Sequence, residues 1–151
     1  YHGNVRTIVS DPAALESELL EADLVIGAVL VPGAAAPKLV REDVVQRMKK
    51  GAVLVDVAID QGGCFENSRK TSHDDPTFKV HDTIFYCVAN MPGAVANTSA
   101  RALGSATLPY IRAVAADGFD GAVERFSGLA DGLMTRGGEL VSQPVKEAFG
   151  L

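Results

Sequence analysis

The stretch AVLVDVA at residues 52–58, followed at once by IDQGG at residues 59–63, decides the fold of this chain. A continuous run rich in β-branched residues, too short for a buried helix, reads as a strand, and the paired glycines Gly62 and Gly63 close the turn after it. Upstream, LVIGAVL at residues 24–30 is a run of the same kind, broken only by Gly27 and typical of a strand covered on both faces. Downstream, TIFYCVA at residues 83–89 makes a further strand, and the β-branched residues 5–9 make a short one near the start.

Helical patterns fill the intervals. Asp11 suits an N-cap with Pro12 at the first helical position, and Leu15, Leu19 and Leu20 then recur at helical spacing between Glu16, Glu18 and Glu21. Pro32, Gly33 and Pro37 force a loop. Residues 42–50 predict a second helix, with Lys49 and Lys50 complementing its dipole and Gly51 stopping it. Beyond Asn90, Met91, Pro92 and Gly93, either Asn97 or Thr98 is placed to cap a long Ala-rich helix ending near Gly118.

Short strands alternating with helices predict an α/β fold built on a parallel, doubly wound sheet. Ligands of such sheets bind beyond the carboxyl ends of the strands, which directs attention to residues 31–36, 59–63 and 90–94.

Composition narrows the function. A length of 151 residues suits one compact domain, and 47% hydrophobic residues suffice for a core. Net charge −5 leaves no basic excess for a phosphate backbone, so a nucleic-acid partner is not expected. No run approaches the roughly 20 apolar residues that span a bilayer, and the first ten residues lack a basic region ahead of an apolar one, so the chain reads as cytoplasmic. Cys64 and Cys87 stand far apart without Cys or His at ligand spacing; they read as packed, reduced thiols, and no metal is expected.

The glycine-rich G-x-G-x-x-G turn that brings backbone amides onto a pyrophosphate is absent: Gly62-Gly63 lacks the spacing, and Gly137-Gly138 reads as a turn among polar residues. Asp60, directly after an apolar strand, suits a hydrogen bond to a ribose or assistance to proton transfer, and suits equally the ordinary work of a turn-forming Asp ahead of Gly62. Asp56, inside the strand run, reads as an anchor for loop amides. Asn90 also follows a strand and offers donors and an acceptor fitting a carboxylate or carboxamide, while serving equally as a turn residue. None of His2, His73 and His81 has the sheltered surroundings of a general base.

Three longer strings carry more information: ADLVIGAVLVPGAAAPKLV at residues 22–40, VLVDVAIDQGGCFENS at residues 53–68 and HDTIFYCVANMPGAVANTS at residues 81–99. They resemble the alanine dehydrogenase and pyridine nucleotide transhydrogenase family, in register across nearly the whole chain. The string from Ala58 to Glu66 resembles the alanine dehydrogenase branch, since transhydrogenases typically carry Glu-Gln-Gly-Gly-Asn there.

The resemblance implies a partial Rossmann-like sheet with C-terminal helices: residues 1–100 as the second part of an NAD-binding domain, and residues 101–151 as a helical segment returning toward a substrate domain. It implies reversible, NAD-dependent oxidative deamination of L-alanine to pyruvate and ammonium, in a homo-oligomer, commonly a hexamer. By the same resemblance Asp60 is the catalytic carboxylate beside the nicotinamide ribose, Asn90 faces the substrate, Ser10 lies toward the adenine, and Val29, Leu30, Val57, Val88 and Met91 form the cofactor slot. The family's catalytic His, its substrate-binding Arg and Lys and its glycine-rich turn fall before the region matching Tyr1, so the chain alone is expected to be inactive. A transhydrogenase nucleotide-binding subunit and a non-catalytic nucleotide-binding or assembly fragment are the alternatives.

Overall fold

A computed structural model describes residues 3–31 and 35–151; His2, Pro32 and Gly33 lie outside the described residues. The described chain forms two compact units, residues 3–31 with residues 35–91, and residues 92–151.

The first unit is an α/β sheet of four strands. Helix α1 (Pro12–Glu21) starts as the sequence predicts, with the Asp11 carboxylate accepting from the amides of Ala13 and Ala14. Strands β1 (Leu24–Gly27), β2 (Val53–Asp56), β3 (Thr77–Val80) and β4 (Thr83–Tyr86) lie in the order β1-β2-β4-β3. β1, β2 and β4 are mutually parallel, so their carboxyl ends open on the same side, whereas β3 turns back antiparallel onto β4. The wholly parallel sheet expected from the sequence is therefore a mixed one. The segment forming β3 is short and only half-buried on alternate residues, and it is held as a strand by its partner β4.

The core of this unit gathers Leu54 of β2, Phe85 of β4, Phe65, Val45 and Cys64, all essentially inaccessible to solvent. Phe85 is the hub: the Phe65 ring meets it edge-on with centroids 5.9 Å apart, and Phe78 of β3 lies at 5.3 Å. Gly27 is the close approach, because a Cβ there would collide with the Cys64 sulfur and the Phe65 ring.

Several sequence expectations are corrected. Residues 5–9 form no strand; Val5 and Val9 are 78% and 83% exposed, and a β-branched run without a neighbouring strand has nothing to pair with. β1 ends at Gly27 rather than at residue 30 and is not covered on both faces, since it is an edge strand with Leu24 and Ile26 at 56% and 62% exposure. The second helix, α2, is confined to Glu42–Val45, because the chain then tightens into three-residue turns from Arg47 to Val44 and from Met48 to Val45. Lys49 donates instead to the Glu21 carbonyl at 2.5 Å, serving the end of α1 rather than that of α2. β2 and β4 stop short of residues 58 and 89, each giving way to a loop that carries the site.

The second unit is built on the helical run α3 (Ala96–Arg125), followed by the hairpin of β5 (Thr135–Arg136) and β6 (Glu139–Leu140) and by α4 (Gln143–Phe149). Neither Asn97 nor Thr98 caps α3; Val95 stands at its N-cap after a 3₁₀ turn over Met91–Val95. Gly118 interrupts the run with φ +71, the position where the sequence expected it to end, but helix resumes beyond. The Gly137-Gly138 pair turns the hairpin with φ +60 and +87, as read from the sequence.

Candidate functional site

The site starts from a buried carboxylate. Asp56, at the carboxyl end of β2 and fully buried, accepts from the Cys64 amide at 2.9 Å, the Phe65 amide at 3.4 Å and the Ser68 hydroxyl at 2.5 Å. It is the loop anchor the sequence suggested. Gly63 has φ +77, and a Cβ there would lie 2.6 Å from the Asp56 carboxylate and 2.7 Å from Ser68, so the loop can close on Asp56 only through a glycine.

With that loop closed, the 3₁₀ turn Val57–Gln61 lifts Asp60 past the end of the sheet. Lys38 fixes the far side of the turn by donating to the carbonyl oxygens of Gly62, Gly63 and Phe65 at 2.7, 2.9 and 3.1 Å. Between the ends of β1 and β2 opens a cavity of about 270 Å³, lined by Val29, Leu30, Val57, Asp60 and Gln61 among others. The Gln61 Oε1 is buried there without a hydrogen-bond partner among the described residues. Buried polar atoms are nearly always satisfied, so an acceptor left open beside a cavity favours a ligand that brings a donor.

Asp60 keeps 60% of its side chain exposed and meets two neighbours: Lys70 Nζ at 3.7 Å and the Asn90 amide, which donates to Oδ2 at 3.4 Å. Asn90 itself sits in the left-handed region with φ +53, and its carbonyl accepts from His73 Nε2 at 3.2 Å. Thr71 pins this segment alongside the chain beyond β4, donating to the Cys87 carbonyl at 3.0 Å and accepting from the Ala89 amide at 3.2 Å.

The structure thus brings Asp60 and Asn90 together, and puts Val29, Leu30, Val57 and Asp60 on one cavity. Ser10 lines a different cavity of about 410 Å³, with Asp11, Leu15, Lys38 and Arg41. Val88 is fully buried, main chain included, and Met91 is half-buried at the start of its 3₁₀ turn. His81 pairs with Glu42 at 3.1 Å. Lys38 and Lys70 escaped sequence reasoning, and His73 reads from sequence only as an imidazole without the surroundings of a general base: each acts on a residue far along the chain, and no local pattern marks that contact.

Cys64 and Cys87 are free and buried. Burial, reinforced by the nearby Asp56 charge, pushes the Cys64 thiol up to about 12, and burial also raises Cys87. Both are inert thiols at neutral pH. Among the described residues no group of His, Cys, Asp and Glu is disposed to hold a metal ion, and no helix is long and apolar enough to cross a membrane.

The chain has counterparts among known proteins. The chain is 58% identical over its whole length to an alanine dehydrogenase of Mycolicibacterium smegmatis and 54% identical to one of Halomonas elongata. It spans 41% of the length of each of these relatives. A solved L-alanine dehydrogenase superposes with a TM-score of 0.75 at 47% identity, covering 93% of this chain and 39% of that one. A transhydrogenase from Sinorhizobium meliloti superposes at 0.53 with 28% identity, over 58% of this chain and 24% of that one. The family model described as alanine dehydrogenase/PNT, C-terminal domain, matches residues 1–143, and the chain belongs to that family.

Proposed function

We propose that this chain works as part of an alanine dehydrogenase, which interconverts L-alanine with pyruvate and ammonium using NAD. The observation that carries the reading is the contact of Asn90 with Asp60, which lines an apolar cavity beyond the parallel strand ends, where ligands of such sheets bind.

The residues fit the cofactor. Val29, Leu30 and Val57 supply apolar walls for a flat ring and keep water from it, and the open Gln61 acceptor suits an N–H group on that ring's substituent. NAD, when bound, supplies the acceptor for the hydride that leaves the α-carbon of alanine. Asp60 offers a carboxylate to the ribose and to the reacting centre, and Asn90 offers its amide to the substrate carboxylate. Ser10, Val88 and Met91 complete the set of cofactor residues in this reading.

In this reading residues 1–100 belong to the cofactor domain and residues 101–151 return toward a substrate domain, in a cytoplasmic homo-oligomer, a hexamer. The chain spans 41% of such a relative, and the resemblance puts the catalytic His and the substrate-binding Arg and Lys outside that span, so in this reading the chain by itself is inactive.

The test is an assay of the full-length protein with L-alanine and NAD. Alanine-dependent NADH formation is expected, and Asp60→Asn should cut kcat by about 10²–10⁴-fold. Hydride exchange between two nucleotides, with no response to alanine, would replace this reading with that of a transhydrogenase subunit.

A further inference from the structure

The segment between Asp56 and β3 carries a histidine, His73, that no part of the proposed chemistry uses. His73 is exposed, so it is not a packed core residue, yet its Nε2 is directed at the Asn90 carbonyl at 3.2 Å. A carbonyl only accepts, so this ring nitrogen carries the hydrogen.

We propose that His73 is a positioning residue: by donating to the Asn90 carbonyl it holds the left-handed Asn90 turn, and so keeps Asn90 against Asp60, which lines the cavity. The turn needs holding. At φ +53 an asparagine occupies a sparsely populated conformation, and such residues persist where the surroundings over-determine them. Here the residue is pinned on both sides, its amide by Asp60 Oδ2 at 3.4 Å and its carbonyl by His73.

His73 is itself framed. Thr71 bonds to Cys87 and Ala89 through its backbone and donates from its hydroxyl to the Pro76 carbonyl at 3.0 Å, while the Asp75 amide donates to Ser72 Oγ at 3.4 Å. The imidazole therefore stands on a braced loop laid against the chain beyond β4 that leads to Asn90. The consequence for substrate binding rests on the alanine dehydrogenase reading; the consequence for the turn does not.

The experiment uses the full-length protein as wild type, His73→Ala and His73→Gln, the last keeping an N–H donor. Peptide-level hydrogen exchange across residues 87–91 reads the turn, and steady-state kinetics read its use. In His73→Ala the exchange should quicken and the KM for alanine should rise, each by about five- to tenfold, the worth of one hydrogen bond. The KM for NAD and the melting temperature should hold, and His73→Gln should recover most of both losses. Unchanged exchange in His73→Ala overturns the proposal, as does quicker exchange with an unchanged KM for alanine. A wild-type protein that makes no NADH from alanine overturns the function reading alone, and the exchange measurement then decides the positioning role.

Discussion

Lys38 donates from its ammonium to the carbonyl oxygen of Gly63 at 2.9 Å, across the loop that anchors on Asp56. The same ammonium reaches Gly62 and Phe65, so one side chain gathers three carbonyls that no helix or strand satisfies. Hydrogen bonds from a charged donor are worth more than neutral ones, and Lys38→Met should lower stability by about 1–3 kcal/mol. A urea titration measures it. Lys38→Arg should not restore the loss, because a planar fork does not match three carbonyls converging on a point.

Asp56 is the counterpart of Lys38 on the inner side of the loop. Replacing it by Ala strands the amides of Cys64 and Phe65 and the Ser68 hydroxyl in a buried place, and should cost about 2–4 kcal/mol. Ser68→Ala removes one donor together with its need and should cost far less. Equal losses in the two variants, by denaturant titration, would contradict the anchor role.

Gly27 leaves no space for a methyl group against Cys64 and Phe65. Gly27→Ala should destabilise by about 1–3 kcal/mol through overpacking. Adding Cys64→Ala removes one of the two obstructing groups, so the double variant should be more stable than the sum of the single effects predicts, by about 1 kcal/mol in a double-mutant cycle. Strict additivity would show that the two sites do not touch.

Cys64 ties stability to alkaline pH. Burial, first, and then the Asp56 charge raise its thiol from 9.0 to about 12 in the folded chain. The unfolded chain therefore releases this proton at lower pH than the native one does. The contribution is fully present below pH 9.0 and is lost as pH rises toward about 12. Unfolding free energy measured across that window should fall with pH, and Cys64→Ala should flatten the slope. The native thiol should also resist alkylation at pH 8 until the chain unfolds.

Much of the site is legible in the order of residues along the chain. Asp60 and Asn90 stand out because each follows an apolar run, and the ends of parallel strands are where such folds present their loops. The structure places them within one hydrogen bond of each other, through backbone on one side and side chain on the other. Asp56 is legible as an anchor because a carboxylate inside a strand run has to find donors. Lys70 and His73 are not: a histidine among Ser72, Asp74 and Asp75 reads as solvated loop until the chain folds its segment against the residues beyond β4.

By itself the sequence determined what local chemistry dictates: the Asp11 cap and Pro12 start of α1, the hydrophobic runs that become β1, β2 and β4, and the glycine turns at residues 62–63 and 137–138. Only the tertiary structure decided which runs found partners. Residues 5–9 have the residue types of a strand and no strand beside them, whereas residues 77–80 become β3 because β4 lies alongside. A helix cap or a tight turn satisfies its polar groups within a few residues, so its signal is local. A strand edge, an ammonium over three carbonyls or an imidazole on a distant carbonyl is satisfied by groups many residues away, and only the folded chain brings them together.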